Sequence, residues 1–475
     1  MIHDIVSFVN NVLWGDGQIL IYMLVFAGLW FTYRLKLIQV IDFKHMFSLL
    51  RGSTTADASG ISSFQALCTS LSARVGTGNL AGVAVAISLG GAGAVFWMWV
   101  IAFLGMATGY AESVLGQTYK VKDANGEYRG GPAYYIKLGL NKTWLAVLFS
   151  LCLFLGYGFI FSAVQANTIT DALNNAYAID TLYSGLVIIT VAGLIVVGGL
   201  KTIARFAEKI VPVMGLVYVA VALVITLLNI DMLPAVLWQI IAGAFGLEEA
   251  AAGTFAAAIK YGIMRGLYSN EAGSGSVPHA AAAATPYPNH PASQGYIQML
   301  GVFFDTIILC TATAFIILLA GGSQSEQMEG IRLTQSAMSS HLGAGGNHFV
   351  AVAITLFAFT SVVANYAYGE SNLHLFKLDH KVGRILYTSG YLAMILWGSM
   401  AALPQVWALA DMALGLMTVV NIVAIIWLSP TIVAISKDYI AKRKAGLDID
   451  YHAGDCDIQG QHETGVWGRT SREPE

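Results

Sequence analysis

Ser72-Ala73-Arg74-Val75-Gly76-Thr77-Gly78-Asn79-Leu80-Ala81-Gly82 lies in the middle of an apolar run from about Ile61 to Leu89. A run of that length suffices for one membrane crossing at roughly 20 residues per helix. Its centre does not suit a plain helix, because glycines at 76, 78 and 82 stand among Arg74, Thr77 and Asn79. Each interior glycine weakens a helix by about 1 kcal/mol relative to alanine. In hydrocarbon, freed backbone groups are tolerated only against protein or a wet cavity. The stretch therefore reads as a helix broken in mid-membrane, exposing its backbone to a ligand. Small residues at helical spacing also serve close helix packing, and a second copy of the pattern decides between the two readings. Arg265-Gly-Leu-Tyr-Ser-Asn-Glu-Ala-Gly273 and Arg74-Val-Gly-Thr-Gly-Asn-Leu-Ala-Gly82 both follow Arg-x-x-x-x-Asn-x-Ala-Gly, and each interrupts an apolar segment. Paired interruptions in the two halves of a membrane protein point to a transporter's binding site.

Composition sets the class around these two stretches. Hydrophobic residues make up 56% of the 475 and charged residues 11%, where a soluble domain carries about a quarter charged. This is a polytopic membrane domain. A formal net charge of −3 speaks against a nucleic-acid partner. Neither the 4 cysteines nor the 10 histidines show metal-ligand spacing. Met1 to Gly17 carries acidic residues and no basic n-region, so no cleavable signal peptide is expected there.

Apolar segments fall near 19–33, 61–90, 94–119, 143–170, 182–200, 205–229, 249–284, 294–320, 347–376, 383–402 and 406–436. That gives about eleven crossings. Basic residues cluster in alternate loops: Arg34 to Arg51, Lys120 to Lys142, Lys201 to Lys209, Lys377 to Arg384 and Lys437 to Lys444. The intervening loops hold Arg332 alone. By the positive-inside rule the N-terminus is outside and the C-terminus cytoplasmic. With the first crossing as an extra, ten remain, and the broken helices become the first of each five, entering from opposite faces. The expected organisation is an extra helix and an interfacial segment in 1–60, a five-helix repeat in 61–229 and its inverted copy in 249–436. A polar cytoplasmic tail over 437–475 completes it, solvated and without a core from Ile449 onward.

The first break suits a small zwitterion. Free amides and the dipole of the half-helix starting near Asn79 face the gap, and Gly76, Thr77 and Gly78 let a carboxylate approach closely. The second break, from Tyr268 to Gly275, offers groups for the amino end. Carbonyls freed at Ser72 and Val75 suit a hard cation, as do the Phe357 carbonyl and the Thr360 and Ser361 hydroxyls, with Asn365 one turn on. Arg74, Arg265, Glu112, Glu271, Asp305, Glu370 and Asp411 stand inside spans. They read first as pairs that lock or gate the bundle.

Gly90-Gly-Ala-Gly-Ala-Val-Phe-Trp-Met-Trp-Val100 resembles the signature of the alanine or glycine:cation symporter family. So do Ser72–Gly82, Gly130-Gly-Pro-Ala-Tyr134 and Ser269-Asn-Glu-Ala-Gly273. The resemblance implies an all-α LeuT-type fold in a bacterial or archaeal (inner) cell membrane, where sodium drives uptake of alanine or glycine. By it, the sodium ligands are the carbonyls of Ser72, Val75 and Phe357 with the hydroxyls of Thr360 and Ser361. The substrate lies between Gly76, Thr77, Gly78 and Asn79 and the second break, at Ser269 and Asn270, closed by Phe161. Asn365 stands where many members of that family carry tryptophan, which bears on the choice between alanine and glycine. An amide there leaves more room than an indole and can hydrogen-bond.

A secondary symporter with sodium, a small neutral amino acid and the lipid bilayer as partners is therefore the expected function. Proton coupling is the alternative, since Glu112, Asp305 or Glu370 could titrate. A channel would need a continuous pore lined by rings of carbonyls or charges. An enzyme would need a nucleophile–base or metal constellation, and none is visible. A monomer is compatible with this reading.

Overall fold

The computed structural model describes residues 2–123, 125–247, 252–321, 329–463 and 465–468. The start of the segment expected at 249–284 and the end of the tail lie outside the described residues. Among the described residues, seven helical stretches are long and apolar enough to cross a membrane: His3–Arg34, Gly93–Thr118, Thr143–Tyr177, Gly199–Leu228, Pro291–Leu319, Ala344–Phe376 and Leu403–Trp427. Four further crossings fall outside that set. Helices Thr181–Val196 and Lys381–Met400 are two of them. The other two are the interrupted segments, which are broken as the glycines dictate. Ser63–Arg74 ends at Val75, an extended residue, and the chain resumes in a π-helical turn Gly78–Gly82 running into Val83–Gly90. Ala252–Asn270 stops before Glu271, and Val277–Ala283 follows. Positive φ angles at Glu271, Gly273 and Gly275 make this second interruption a coil that no helix could continue through.

The two broken crossings run in opposite directions. Residues Ile61–Ser62, at the start of the first, pair with Ala284–Thr285, at the end of the second. One segment therefore begins on the face where the other ends, here called the tail face because the C-terminal segment lies there too. Around the broken pair, Gly93–Thr118 is buried over most of its length, with Gly116 so close to Pro278 that a Cβ would meet its carbonyl oxygen at 2.8 Å. Small residues permit this approach, which packs helices tightly where water supplies no driving force. Helices Thr181–Val196 and Gly199–Leu228 form the rim, where Leu194, Leu216 and Leu228 are exposed, as lipid contact allows.

Two segments pack more than their composition suggests. Ile2–Trp14 is a helix fastened to Leu403–Trp427, with Trp14 Nε1 donating to the Asp411 carbonyl at 3.1 Å and Asn10 Nδ2 to that of Ala408 at 2.8 Å. The described residues of the segment from Ile449 to Gly468 are not a free solvated tail, because Tyr451 and Trp467 are buried. Trp467 Nε1 donates to the Gln117 carbonyl at 3.1 Å, its ring lies 4.9 Å from the Lys120 ammonium, and Gln461 N donates to Leu138 O. Two aromatics in a polar stretch suffice to strap it across the tail face. Losing that cation–π contact and hydrogen bond should weaken the strap by about 1–3 kcal/mol. Trp467→Ala is therefore expected to speed limited proteolysis of the segment after Lys444 by about tenfold. Equal cleavage rates would show that the strap is held elsewhere.

Candidate functional site

The breaks meet at the centre of the bundle. Gly78 packs on the second crossing so closely that a Cβ would lie 3.1 Å from Ser269 Cα, and Asn79 Nδ2 donates to Ser269 Oγ at 3.1 Å. Asn79 also reaches Asp305, Nδ2 to Oδ1 at 2.8 Å, while its Oδ1 accepts from Gly76 N at 3.0 Å. Asp305 further accepts from Ser269 Oγ at 2.6 Å and Thr306 Oγ1 at 2.9 Å. One buried carboxylate thus ties both interruptions to the Phe303–Cys310 segment. That segment is π-helical, as are Gly78–Gly82 and Gly156–Ile160. All three widened turns border the same centre, and such turns re-aim side chains at functional sites.

The five oxygens read as cation ligands come together between the first break and the Ala344–Glu370 helix. Ser361 Oγ lies 2.9 Å from the carbonyl oxygen of Ser72, 3.3 Å from that of Val75 and 3.2 Å from that of Phe357. Thr360 Oγ1 donates to the Phe357 carbonyl at 2.8 Å, and Ser72 Oγ to that of Thr360 at 2.8 Å. Val75 supplies its carbonyl because the helix ends there, and Ser361 faces it because helical spacing puts it one turn beyond Phe357. Every group is a neutral oxygen in a buried setting, the chemistry of a hard cation of low charge.

Beside these oxygens is a cavity of about 10 Å³, lined among others by Arg74, Tyr157, Phe161, Gln165, Glu271 and Asn365. It has room for about one water. Of the residues read as substrate contacts, Phe161 and Asn365 line it. Gly76 and Thr77 adjoin it, but their amides are already engaged: Gly76 N by Asn79, and Thr77 N by Gln165 Oε1 at 2.9 Å, which also accepts from Thr77 Oγ1 at 2.8 Å. Ser269 is turned to Asp305, and Asn270 Oδ1 accepts from Ala272 N at 3.0 Å. Both stand next to the cavity's Tyr268 without lining it.

Gln165 and Tyr157 were not singled out from the sequence, and Tyr268 entered only as the start of the second break. The signal for Gln165 was present, since it lies one helical turn from Phe161 and is polar within an apolar span. The aromatic rings form a column. Phe161 meets Tyr157 edge-on at 4.7 Å and Tyr268 at 6.0 Å, and Tyr268 packs on Trp407 at 4.8 Å. On the face away from the tail, Arg265 sits over Trp407 at 4.3 Å and grips Asp411 through two bonds of 3.0 and 2.8 Å.

The other intramembrane charges have separate places. Glu112 accepts from Gly273 N at 3.1 Å and from Gly275 N at 3.2 Å, and from Asn421 Nδ2 at 2.9 Å. Those amides point to one side because the backbone alternates through positive φ, forming a nest that an anion fills. The Glu112 carboxyl group occupies that nest, so the second break is bonded from within. Glu271 accepts from Ser276 Oγ at 2.6 Å, and Glu370 pairs with Arg384 at 3.5 Å. Among the described residues Arg74, 1% exposed, donates only from Nη1, to the Gln298 carbonyl at 3.4 Å, while its Nε and Nη2 find no partner.

The architecture and sequence have counterparts among known proteins. The solved structure of MhsT in complex with L-phenylalanine superposes with a TM-score of 0.58 at 15% identity, covering 79% of this chain and 91% of that one. This likeness identifies the LeuT-type fold. "Probable sodium/glutamine symporter GlnT" of Bacillus subtilis (strain 168) is 46% identical over 449 residues, 94% of this chain and 93% of its own length. "Amino-acid carrier protein AlsT" of the same organism is 43% identical over 465 residues, 98% and 97% of the two chains. Residues 1–453 match the model of the sodium:alanine symporter family. With its two broken helices and relatives aligned over nearly their whole length, this chain belongs to that family.

Proposed function

We propose that the chain is a secondary active symporter in which inward sodium movement drives uptake of a small neutral amino acid. The observation that carries this reading is the convergence of Ser72, Val75 and Phe357 carbonyls on the Ser361 hydroxyl, beside a cavity framed by both breaks. An ion there binds the first break and the Ala344–Glu370 helix together, so its arrival and departure bias how the two elements sit. The repeats 61–229 and 249–436 then rock around the fixed centre, exposing it to one face at a time. The substrate carboxylate takes amides of the first break once Gln165 and Asn79 yield them, and Phe161 covers it. The tail face, with its basic loops, is cytoplasmic in the inner membrane of a prokaryotic cell.

Sodium rather than proton coupling is supported by the donor set, since carbonyl and hydroxyl oxygens of Ser72, Val75, Phe357, Thr360 and Ser361 converge with no acid among them. The test is uptake of radiolabelled alanine, glycine and glutamine into liposomes holding the purified full chain. An inward sodium gradient is expected to concentrate at least one of them above the outside level, and a proton or lithium gradient of equal size should do much less. Accumulation driven by protons alone would move coupling to an acid, and equilibration without accumulation would mean a channel.

A further inference from the structure

The strap across the tail face is bonded to the elements that must part if the centre is to open there. Gln117 Nε2 and Lys120 Nζ each donate to the Ala284 carbonyl at 2.9 Å, at the end of the second broken crossing. Ala284 in turn pairs with Ile61, where the first broken crossing starts. Trp467 sits on this junction, through the Gln117 carbonyl and over the Lys120 ammonium, which is left 2% exposed. Three further attachments reach different parts of the chain. Tyr451 N donates to the Asn289 carbonyl at 2.9 Å, in the loop leading from the second broken crossing into Pro291–Val302. The Gln459 carbonyl accepts from the Tyr119 hydroxyl, and Gln459 N donates to Thr431 Oγ1 at 3.0 Å on Ser429–Lys444. Gln461 N donates to the Leu138 carbonyl at 3.3 Å, on Pro132–Gly139. Gly460 makes that last approach possible with a φ of 73°. A Cβ there would overlap the Leu138 carbonyl oxygen and come within 2.8 Å of Gly139 Cα. The strap also closes on itself, with Ala453 N donating to the Trp467 carbonyl at 2.7 Å and the Tyr451 and Trp467 rings 5.3 Å apart.

From these attachments we propose that residues 449–468 form an autoinhibitory latch that holds the tail face closed. The inference rests on the symporter reading above and adds its regulation. Alternating access requires the tail-face halves of the two broken crossings to part from their surroundings in every cycle. A plain cover would sit on one rigid unit. This strap instead joins Gln117, Tyr119 and Leu138 of the 61–229 repeat to Asn289 and Thr431 of the 249–436 repeat. Those attachments cannot all persist when their bearers move relative to one another. Contacts made in the closed arrangement and lost in the open one stabilise the closed arrangement alone. Among the described residues none of the strap lines the central cavity. Its effect is therefore on how readily the tail face opens and not on which solute the centre accepts.

The experiment uses Cys68 as a reporter in the protein reconstituted in liposomes. Cys68 is 1% exposed on Ser63–Arg74, one turn beyond Gln65, whose Nε2 donates to Glu208 Oε2 at 2.9 Å. Its alkylation by N-ethylmaleimide, read by peptide mass spectrometry, reports how often this half-helix parts from its neighbours. Gly460→Val and a chain ending at Gly446 free the strap in two independent ways, the first with every other residue in place. Each is expected to raise the alkylation rate of Cys68 by roughly fivefold or more, the factor that two lost hydrogen bonds, at Leu138 and Gln117, correspond to. Maximal uptake of radiolabelled alanine under a saturating sodium gradient should rise in both. The proposal is overturned if Cys68 reacts at the parent rate in both variants, or if it reacts faster while uptake fails to rise. Should the shortened chain fail to fold, Gly460→Val decides alone. If the unaltered protein accumulates no amino acid, the symporter reading falls, and the Cys68 rates still decide whether the strap holds this face closed.

Discussion

Replacing both hydroxyls, Thr360→Ala together with Ser361→Ala, is expected to raise the sodium concentration for half-maximal uptake by roughly 5–150-fold. The range follows from two oxygen contacts of about 0.5–1.5 kcal/mol each, at a factor of ten per 1.4 kcal/mol. Ser361 should account for more of it than Thr360. Its Oγ lies within 3.3 Å of three carbonyls, whereas Thr360 Oγ1 bonds that of Phe357 alone. The two also differ in what they hold when no ion is bound. Ser361 ties the first break to the Ala344–Glu370 helix, so its removal loosens that junction as well as the ion site. Uptake at saturating sodium separates the effects, since a lost ligand is overcome by more sodium and a loosened fold is not. A sodium dependence unchanged in the double variant, with normal amounts of folded protein, would place the ion away from these oxygens.

How far this arrangement could be read in the sequence depends on whether a residue's meaning is local. Gly76 and Gly78 break a helix wherever they stand, so the interruption and its second copy were legible, and the inverted direction followed from counting apolar segments between them. Thr360 and Ser361 were legible as a polar pair in an apolar span. What was not legible depends on distant partners. Nothing local says that Gln165 caps Thr77, 88 positions away, or that Glu112 fills a nest at Gly273 and Gly275. The second break was read as an offer to the substrate's amino group, but its amides and Ser269 are turned to the protein's own carboxylates. The tail was misjudged for a related reason. Average polarity says nothing of Trp467 and Tyr451, which bury against residues far away in sequence. Composition describes a segment, whereas docking is decided by one or two side chains.

The largest stability effect is expected at the pair closing the face away from the tail. Arg265 and Asp411 are 4% and 8% exposed at their side chains and joined by two hydrogen bonds. Asp411→Ala leaves the guanidinium buried with the Trp407 ring as the remaining partner for its charge among the described residues. Breaking a buried pair from one side costs about 3–5 kcal/mol, because the remaining charge stays desolvated and uncompensated. Thermal unfolding of the detergent-solubilised protein, followed by size exclusion, should show that loss. The reverse substitution, Arg265→Met, leaves a carboxylate that can take up a proton, so its cost should be smaller. Replacing both, Arg265→Met with Asp411→Leu, should restore stability to within about 1 kcal/mol of the parent, since apolar residues of similar volume carry no charge to desolvate. A double variant as unstable as Asp411→Ala would show that the charges are needed for themselves. A single variant as stable as the parent would show that water already reaches the pair. Between those outcomes lies the functional consequence. The pair ties the Ala252–Asn270 half-helix to Leu403–Trp427, above the cavity's Tyr268. Weakening that tie favours conformations open on this face, and the double variant should take up substrate with a lower apparent KM for entry and a slower release on the other side.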